Sequence, residues 1–342
     1  MMYKKFITPT IIVVAVVAAV WLYDGPKLEY KKIDGHIQGT TYNITYEYRL
    51  NRDLQAEIEK QLAEFDLSLS TYLPNSLISR INQNDPTAEA DDKFIKVFTV
   101  AYEVYEKSGG LFDITVAPVV NAWGFGSAPG TDIDSALIDS LLQFVGMNKV
   151  RLDGKKVIKD DSRTLFDVNA IAQGYSVDVI AAFLDSKKVE NYLVEIGGEL
   201  KCKGKNPKGE DWKIGVDRPD EGNMVAGANL QAVLAIKTKS LATSGNYRKF
   251  YEKNGIKFAH SINPKTGYPS LSRLLSATVL ASECIVADAF ATMFMVMGLE
   301  ESIQYLENQN ELEAYLIYSD EEGKYRVYTT PGMKEHIVEE RE

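Results

Sequence analysis

Cysteine is almost missing from this chain: its 342 residues include two, Cys202 and Cys284. Disulfides therefore do not organise the fold even in an oxidising compartment, although a single bridge between the two stays open. An excess of basic residues is missing as well. The formal net charge is −10, which argues against nonspecific binding to nucleic acid or anionic lipid, because both depend on a basic surface. The charge is spread along the chain and names no partner. There is no internal repeat, low-complexity tract or long linker, so one compact unit is the simplest organisation. The body of about 310 residues, in a chain that is 45% hydrophobic, is long enough for one large or two ordinary domains.

Only one long apolar run occurs, from Phe6 to Tyr23, broken by Thr8, Pro9 and Thr10. A bilayer span takes roughly 17–25 apolar residues and a secretory core roughly 7–15, so this run sits at the short end of a true span. Lys4 and Lys5 before it and Asp24 after it favour an exported body. No cysteine follows the run, which argues against a lipoprotein anchor. Trp21, Leu22 and Tyr23 carry it past the small residues Ala15, Ala18 and Ala19, which favours an uncleaved anchor over a cleaved signal. Its apolar residues cover every face, unlike the single stripe of a buried amphipathic helix. The expected organisation is an anchor over 1–25, a juxtamembrane linker over 26–33 and an extracytoplasmic body over 34–342.

Within the body, alternation through Tyr42, Ile44, Tyr46 and Tyr48 predicts a strand over 36–48. Leu54, Ile58, Leu62, Phe65 and Leu69 recur at three and four, which predicts a helix over 52–70. Similar periodicity predicts helices at 92–108, 134–145, 171–186 and 284–297, the first stopped by Gly109-Gly110. Asp153-Gly154 and Asn254-Gly255 suit type I′ hairpins over 150–159 and 248–262. Strands are expected at 164–168, 191–196, 199–204, 231–237, 276–281, 313–318 and 324–329. Strands gathered in hairpins with long helices between groups predict an α+β fold with a largely antiparallel sheet.

Four segments are dense in chemistry. Ser108 to Gly126 collects Gly, Pro and aromatics just after a helix stop, which lets the backbone approach a flat ligand; alone it is an ordinary turn-rich connection. Leu165-Phe-Asp167-Val-Asn-Ala170-Ile-Ala-Gln173-Gly174-Tyr175-Ser-Val-Asp178 runs from a strand, where Asp167 can accept from a sugar hydroxyl or ring nitrogen, into a helix whose bare N–H groups suit a phosphate, although strand-loop-helix is commonplace. Leu241-Ala-Thr243-Ser244-Gly245-Asn246 is followed by His260-Ser-Ile262-Asn263-Pro264, where His260 could act as a base or could be structural. Asp288 and Thr292 lie four apart on one face of an otherwise apolar helix. Carboxylate plus hydroxyl suits Mg²⁺ or Ca²⁺ rather than zinc; the plain alternative is a helix-start charge and a threonine bonded back to a carbonyl.

Together with Gly39-Thr40-Thr41-Tyr42 and Ser70-Thr71-Tyr72 followed by Pro74-Asn-Ser76, these segments resemble, in order and over nearly the whole body, the FAD:protein FMN transferases, the ApbE-like flavin transferases. The resemblance implies an α+β fold holding FAD between two lobes. It also implies a Mg²⁺-dependent enzyme, with Ca²⁺ or Mn²⁺ as substitutes, that cleaves the FAD pyrophosphate and releases AMP. FMN would be linked by a phosphoester to a Thr or Ser of a partner flavoprotein bearing an Asp-x-x-Ser/Thr-Gly-Ala-Ser/Thr-like pattern. Carried over by position, Gln38, Tyr72, Asn121, Ala122, Trp123, Asp167, Gln173, Ser244, Asn246 and Ile262 would line the nucleotide. The carbonyl of Ala170 with Asp288 and Thr292 would hold the metal, and His260 would deprotonate the acceptor.

The chain departs from the commonest pattern of that family in several places: Gln38 stands where Met often precedes Gly-Thr, Asn169-Ala170 where a Gly-rich pair is usual, Gln173 where Lys or Glu is frequent, and Asn263 where Asp precedes Pro. Three rivals share the sequence evidence: an FAD pyrophosphatase at the same site, a noncatalytic flavin carrier, and a chain that is itself flavinylated, the last weakened because Thr243-Ser244-Gly245-Asn246, the run nearest the acceptor pattern, lacks its Ala. Joint retention of His260, Asp288 and Thr292 disfavours the carrier, which needs no metal.

Overall fold

The computed structural model describes residues 27–341 apart from 51, 127–129, 132, 221–222, 224–226, 247–249, 254–255 and 260. The expected anchor therefore lies outside the described residues, and among those no helix is long and apolar enough to cross a membrane. The chain opens with strands β1 (Leu28–Ile37) and β2 (Thr40–Arg49), followed by helices α1 (Gln55–Leu69), α2 (Leu77–Asn82), α3 (Asp92–Lys107), α4 (Ala117–Trp123) and α5 (Ser135–Leu142). A small hairpin, β3 (Val150–Asp153) and β4 (Lys156–Lys159), precedes α6 (Asn169–Ser186). Strands β5 (Tyr192–Ile196), β6 (Glu199–Lys203), β7 (Trp212–Asp217), β8 (Leu230–Ile236), β9 (Lys239–Gly245), β10 (Phe250–Lys253), β11 (Ile256–Ala259) and β12 (Leu274–Ala281) follow in succession. The chain ends with α7 (Cys284–Met297), α8 (Leu299–Glu307), β13 (Glu313–Ser319), β14 (Tyr325–Thr329), α9 (Pro331–Lys334) and β15 (Ile337–Glu340).

Eight strands form one sheet in the order β1-β2-β5-β6-β9-β12-β13-β14, and every neighbouring pair is antiparallel. The α+β class expected from the sequence is what forms. Side chains alternate across this sheet because successive Cβ atoms of a strand point to opposite faces. Ala314 and Leu316 of β13 face the helices, in a core with Phe94, Phe166, Phe290 and Phe294. Tyr315 and Ile317 face the other way, onto the three-stranded sheet β15-β8-β7, with Trp212, Leu234 and Met333. Helix α7 is sandwiched against the sheet and buries eleven of its residues, which is why it reads as apolar on all sides.

Two expectations are corrected. Residues 28–33, read as a linker, belong to β1, which pairs along its whole length with β2 from Leu28↔Arg49 to Ile37↔Thr40; its mixed polar alternation reflects an edge strand with one covered side. Residues 164–168 are not a strand of any sheet. Among the described residues their only strand-like backbone pairings are an isolated parallel bridge, Val116↔Leu165, and Asp167 N–H to the Ile114 carbonyl at 2.7 Å. The two cysteines are free and buried, so the open disulfide does not form.

Candidate functional site

Helices α6 and α7 cross in contact because Gly174 has no side chain. A Cβ there would sit 2.4 Å from the Cys284 carbonyl oxygen and 2.7 Å from Asp288 Cβ. At that contact Gly174 N–H donates to Asp288 Oδ2 at 2.9 Å. In a regular helix this amide would close onto the carbonyl of Ala170. One turn along α6, Asp178 Oδ2 accepts from Ile285 N–H at 2.9 Å, satisfying a bare amide at the start of α7, while its Oδ1 accepts from Lys201 Nζ at 2.9 Å. The helices thus run antiparallel past each other, with Asp178 opposite Ile285 and Gly174 opposite Asp288. Ala170 lies one turn before Gly174 on α6 and Thr292 one turn after Asp288 on α7.

Asp288 is the only charged residue of α7, and among the described residues the Gly174 amide is its only hydrogen-bond partner. Burial pushes its carboxyl up to about 7, with the Gly174 amide pulling the other way. Thr292 Oγ1 lies 3.1 Å from Ser244 Oγ of β9, so Ser244, Thr292, Asp288 and the start of α6 converge. A buried carboxylate with one donor, a hydroxyl one turn away and a helix-start carbonyl are all hard oxygen donors. They fit a small divalent cation, which would also hold Asp288 ionised. Among the described residues no cluster of three His, Cys, Asp or Glu offers a competing centre.

The segment before α6 forms a strap beside this crossing. Phe166 points into the core, edge-on to Phe94 at 5.6 Å, so the next residue, Asp167, points outward. Asp167 Oδ1 accepts from Asn169 N–H at 2.8 Å, and burial raises its carboxyl above the usual range against that bond. Tyr72 stands beside it with 61% of its surface exposed. Burial of its hydroxyl end and then the neighbouring Asp167 raise the phenol, while Asn169 lowers it. An exposed ring next to a carboxylate can cover a flat ligand.

Gln38 occupies the two-residue turn between β1 and β2 at φ 53°, a left-handed conformation that favours small residues. Its side chain is not free: Nε2 donates to Asp66 Oδ1 at 3.2 Å and Oε1 lies 3.2 Å from Ser176 Oγ. Burial raises the Asp66 carboxyl and the Gln38 amide lowers it. Gln173 lies against the β5–β6 turn, its Nε2 2.6 Å from where a Cβ on Gly197 would be. Ser176 links the two positions: its hydroxyl lies 3.2 Å from Gln38 Oε1 and 2.7 Å from the Gln173 carbonyl oxygen.

The second wall starts where the strap's neighbour ends. Helix α4 carries Asn121, folded so closely on Gly126 that a Cβ there would meet Asn121 Oδ1 at 2.0 Å, and Ala122, whose carbonyl accepts from Thr131 N–H at 2.9 Å. Trp123 Nε1 donates to the Gly267 carbonyl at 2.8 Å, and its ring meets Tyr268 edge-on at 6.0 Å. Asn263, in place of the expected Asp, keeps the turn that presents Gly267: its Oδ1 accepts from Lys265 N–H at 2.9 Å and its carbonyl from Gly267 N–H at 2.8 Å. The side chain of Ile262 is core, packed with Val119, Ile138 and Val145, which leaves only its backbone to face a ligand. Asn246 Nδ2 donates to the Leu274 carbonyl at 3.3 Å, tying the end of β9 to β12. His260 lies outside the described residues.

Several supporting residues were not singled out from sequence. Asp66 and Ser176 hold Gln38, Asp178 sets the helix crossing, and Asn82 grips the strap. Only Asp178 carried a local signal, its i+4 spacing from Gly174; the others act across 28 to 138 residues of sequence.

With this geometry in place, the comparisons are consistent with one another. Residues 38–316 match the model of the ApbE family. The chain is 34% identical over 315 residues to an FAD:protein FMN transferase from Vibrio cholerae, covering 90% of this chain and 92% of that protein. It is 35% identical over 305 residues to the protein of the same name from Haemophilus influenzae, covering 85% and 87%. The solved structure of the flavin transferase ApbE from Vibrio cholerae superposes with a TM-score of 0.81 at 33% identity, covering 91% of this chain and 100% of that one. A family match spanning most of the chain, joined to the same fold, establishes that this chain belongs to the ApbE family.

Proposed function

We infer that the chain is an FAD:protein FMN transferase that moves FMN from FAD to a Thr or Ser side chain of a partner flavoprotein and releases AMP. The observation that carries this reading is the α6–α7 crossing. There a buried carboxylate accepts from one amide of α6, and the next turn of its own helix carries a hydroxyl beside Ser244, in a chain matching FAD:protein FMN transferases over about nine-tenths of its length.

Mg²⁺, with Mn²⁺ or Ca²⁺ as substitutes, would be held by the Ala170 carbonyl, Asp288 and Thr292, and would offset charge developing on the pyrophosphate oxygens. The chain's own residues do the rest. Tyr72 covers the bound FAD and Asp167 accepts from it, while the strap and α4 keep water off the scissile bond. His260 takes the proton of the acceptor hydroxyl, whose free pKa is far too high for attack. The hydroxyl oxygen bonds to the FMN phosphorus, the P–O bond to the AMP phosphate breaks, and AMP leaves with the displaced electron pair. Water in place of the hydroxyl would give FMN and AMP. The apolar run over 1–25 would tether this body on the outer side of the membrane, the periplasmic side where a cell has two, near acceptor redox subunits.

The full-length protein, incubated with FAD, Mg²⁺ and an acceptor domain bearing the Asp-x-x-Ser/Thr-Gly-Ala-Ser/Thr pattern, should add one FMN to that domain by mass spectrometry and release an equal amount of AMP. Chelation by EDTA should stop the reaction and Mg²⁺ restore it. Neither product in the wild type, with Asp288→Ala behaving identically, refutes the reading.

A further inference from the structure

We propose that Asn82 is a positioning residue for flavin transfer: its carboxamide sets the register of the strap that carries Asp167 and Ala170, and ties that strap to the Tyr72 loop. The inference rests on the flavin-transfer reading above. Both backbone groups of Phe166 are paired with this one side chain. Asn82 Nδ2 donates to the Phe166 carbonyl at 2.9 Å, and Phe166 N–H donates to Asn82 Oδ1 at 2.8 Å. A primary amide presents a donor and an acceptor side by side, so Asn82 offers Phe166 what a neighbouring strand would. On the other edge the strap has its backbone neighbours, Val116 opposite Leu165 and Asp167 N–H on the Ile114 carbonyl. Residues 165–167 thus lie between two partners, one made of backbone and one made of a side chain.

Register matters here because side chains alternate with period two. Phe166 lies in the core between Phe94 and Phe98. Asp167 consequently faces Tyr72, and α6 begins two residues later with Asn169 and Ala170. A one-residue slip would drive Asp167 toward the phenylalanines and shift Ala170 at the start of α6. The same helix holds the opposite wall. Asn82 ends α2, and at the start of α2 the Ser76 and Ser79 hydroxyls donate to the Ser70 carbonyl at 2.6 and 3.4 Å, which fixes the base of the loop bearing Tyr72. One short helix therefore spaces Tyr72 from Asp167.

The test uses the full-length protein with Asn82→Ala, Asn82→Asp and, as a control, Asn84→Gly. Aspartate keeps the shape and the acceptor for Phe166 N–H but sets an oxygen against the Phe166 carbonyl. Asn84→Gly breaks the nearby tie from Asn84 Nδ2 to the Ser162 carbonyl, 2.9 Å, while tolerating the positive φ of that residue. FAD binding is read directly by flavin fluorescence, beside KM, kcat and Tm. Both Asn82 variants should raise the FAD dissociation constant and KM about tenfold, the weight of the charged Asp167–FAD hydrogen bond that a displaced strap would lose, with a smaller change in kcat at saturating FAD. Asn84→Gly should leave KM unchanged. A lowered Tm with wild-type FAD affinity in Asn82→Asp, or an equal KM increase in Asn84→Gly, overturns the inference. Absence of FAD binding in the wild type instead overturns the flavin-transfer reading itself.

Discussion

Replacing Gly174 by alanine tests whether the helix crossing is as tight as the geometry requires. The added methyl would face the Cys284 carbonyl oxygen at 2.4 Å and Asp288 Cβ at 2.7 Å. Carbon atoms pack comfortably at roughly 3.5–4.0 Å, so α6 and α7 must part by about an ångström. The Cys284 oxygen is backbone and cannot rotate away. Overpacking of this kind costs about 1–3 kcal/mol, while glycine to alanine inside a helix returns up to about 1 kcal/mol. The clash should win, leaving a net loss of about 1–2 kcal/mol and a Tm lowered by about 2–3 °C for a domain of this size. Parting the helices also lengthens the Gly174 amide to Asp288 bond. Misplacement by an ångström is worth about 10²-fold in rate, so FMN transfer should fall by that order in a protein that still folds. Calorimetry and the transfer assay read the two effects separately. An unchanged or raised Tm with wild-type transfer would refute the argument, because it would mean the helices absorb the methyl without moving.

Thr292→Val should raise the Mg²⁺ concentration for half-maximal transfer about tenfold, the weight of one charge-assisted bond, while Thr292→Ser keeps it near wild type; titration of the transfer rate with Mg²⁺ distinguishes them. Lys159, whose Nζ donates to the Thr164 carbonyl at 2.9 Å, is pushed down by burial to about 8 from its ordinary 10.5. Between those values the unfolded chain binds more protons than the folded one, so this lysine's penalty fades as pH rises. The stability of wild type relative to Lys159→Met, from urea unfolding, should therefore climb from pH 8 to pH 10 and be flat below pH 7. Burial raises the Cys202 thiol to about 12 and the Cys284 thiol well above its usual value, so neither should react with Ellman's reagent until the protein is unfolded, when two equivalents should appear.

Five helices were legible because their pattern is local, while α2, α4, α8 and α9 were not anticipated. Residues 284–297 were expected to be helical and α7 spans Cys284–Met297; 92–108 became Asp92–Lys107, and 171–186 became Asn169–Ser186. A helix bonds to itself four residues away, so periodicity and caps such as Asp91, whose side chain accepts from Phe94 N–H, suffice to bound it. Strand β7 was not anticipated, and neither was the assignment of Leu28–Ile33 to β1. Their partners are nonlocal or their exposed faces dilute the alternation. The expected strand at 164–168 failed for a related reason: the segment has strand chemistry, yet its second partner is the side chain of Asn82, 84 residues away in sequence.

The site divides in the same way. The residue types at 167, 170, 288 and 292, and the shared face of Asp288 and Thr292, follow from the sequence alone, because one helical turn is a local fact. Tertiary structure decided that Asp288 meets an amide of α6 rather than solvent, that Ser244 arrives beside Thr292 from a strand, and that Gln38 is tied to Asp66 and Ser176 instead of pointing free. It also turned Ile262 into core. Those outcomes hang on which surfaces approach closely enough to exclude water. At this crossing that was settled by the missing side chain of Gly174, whose significance no neighbouring residue in the sequence reveals.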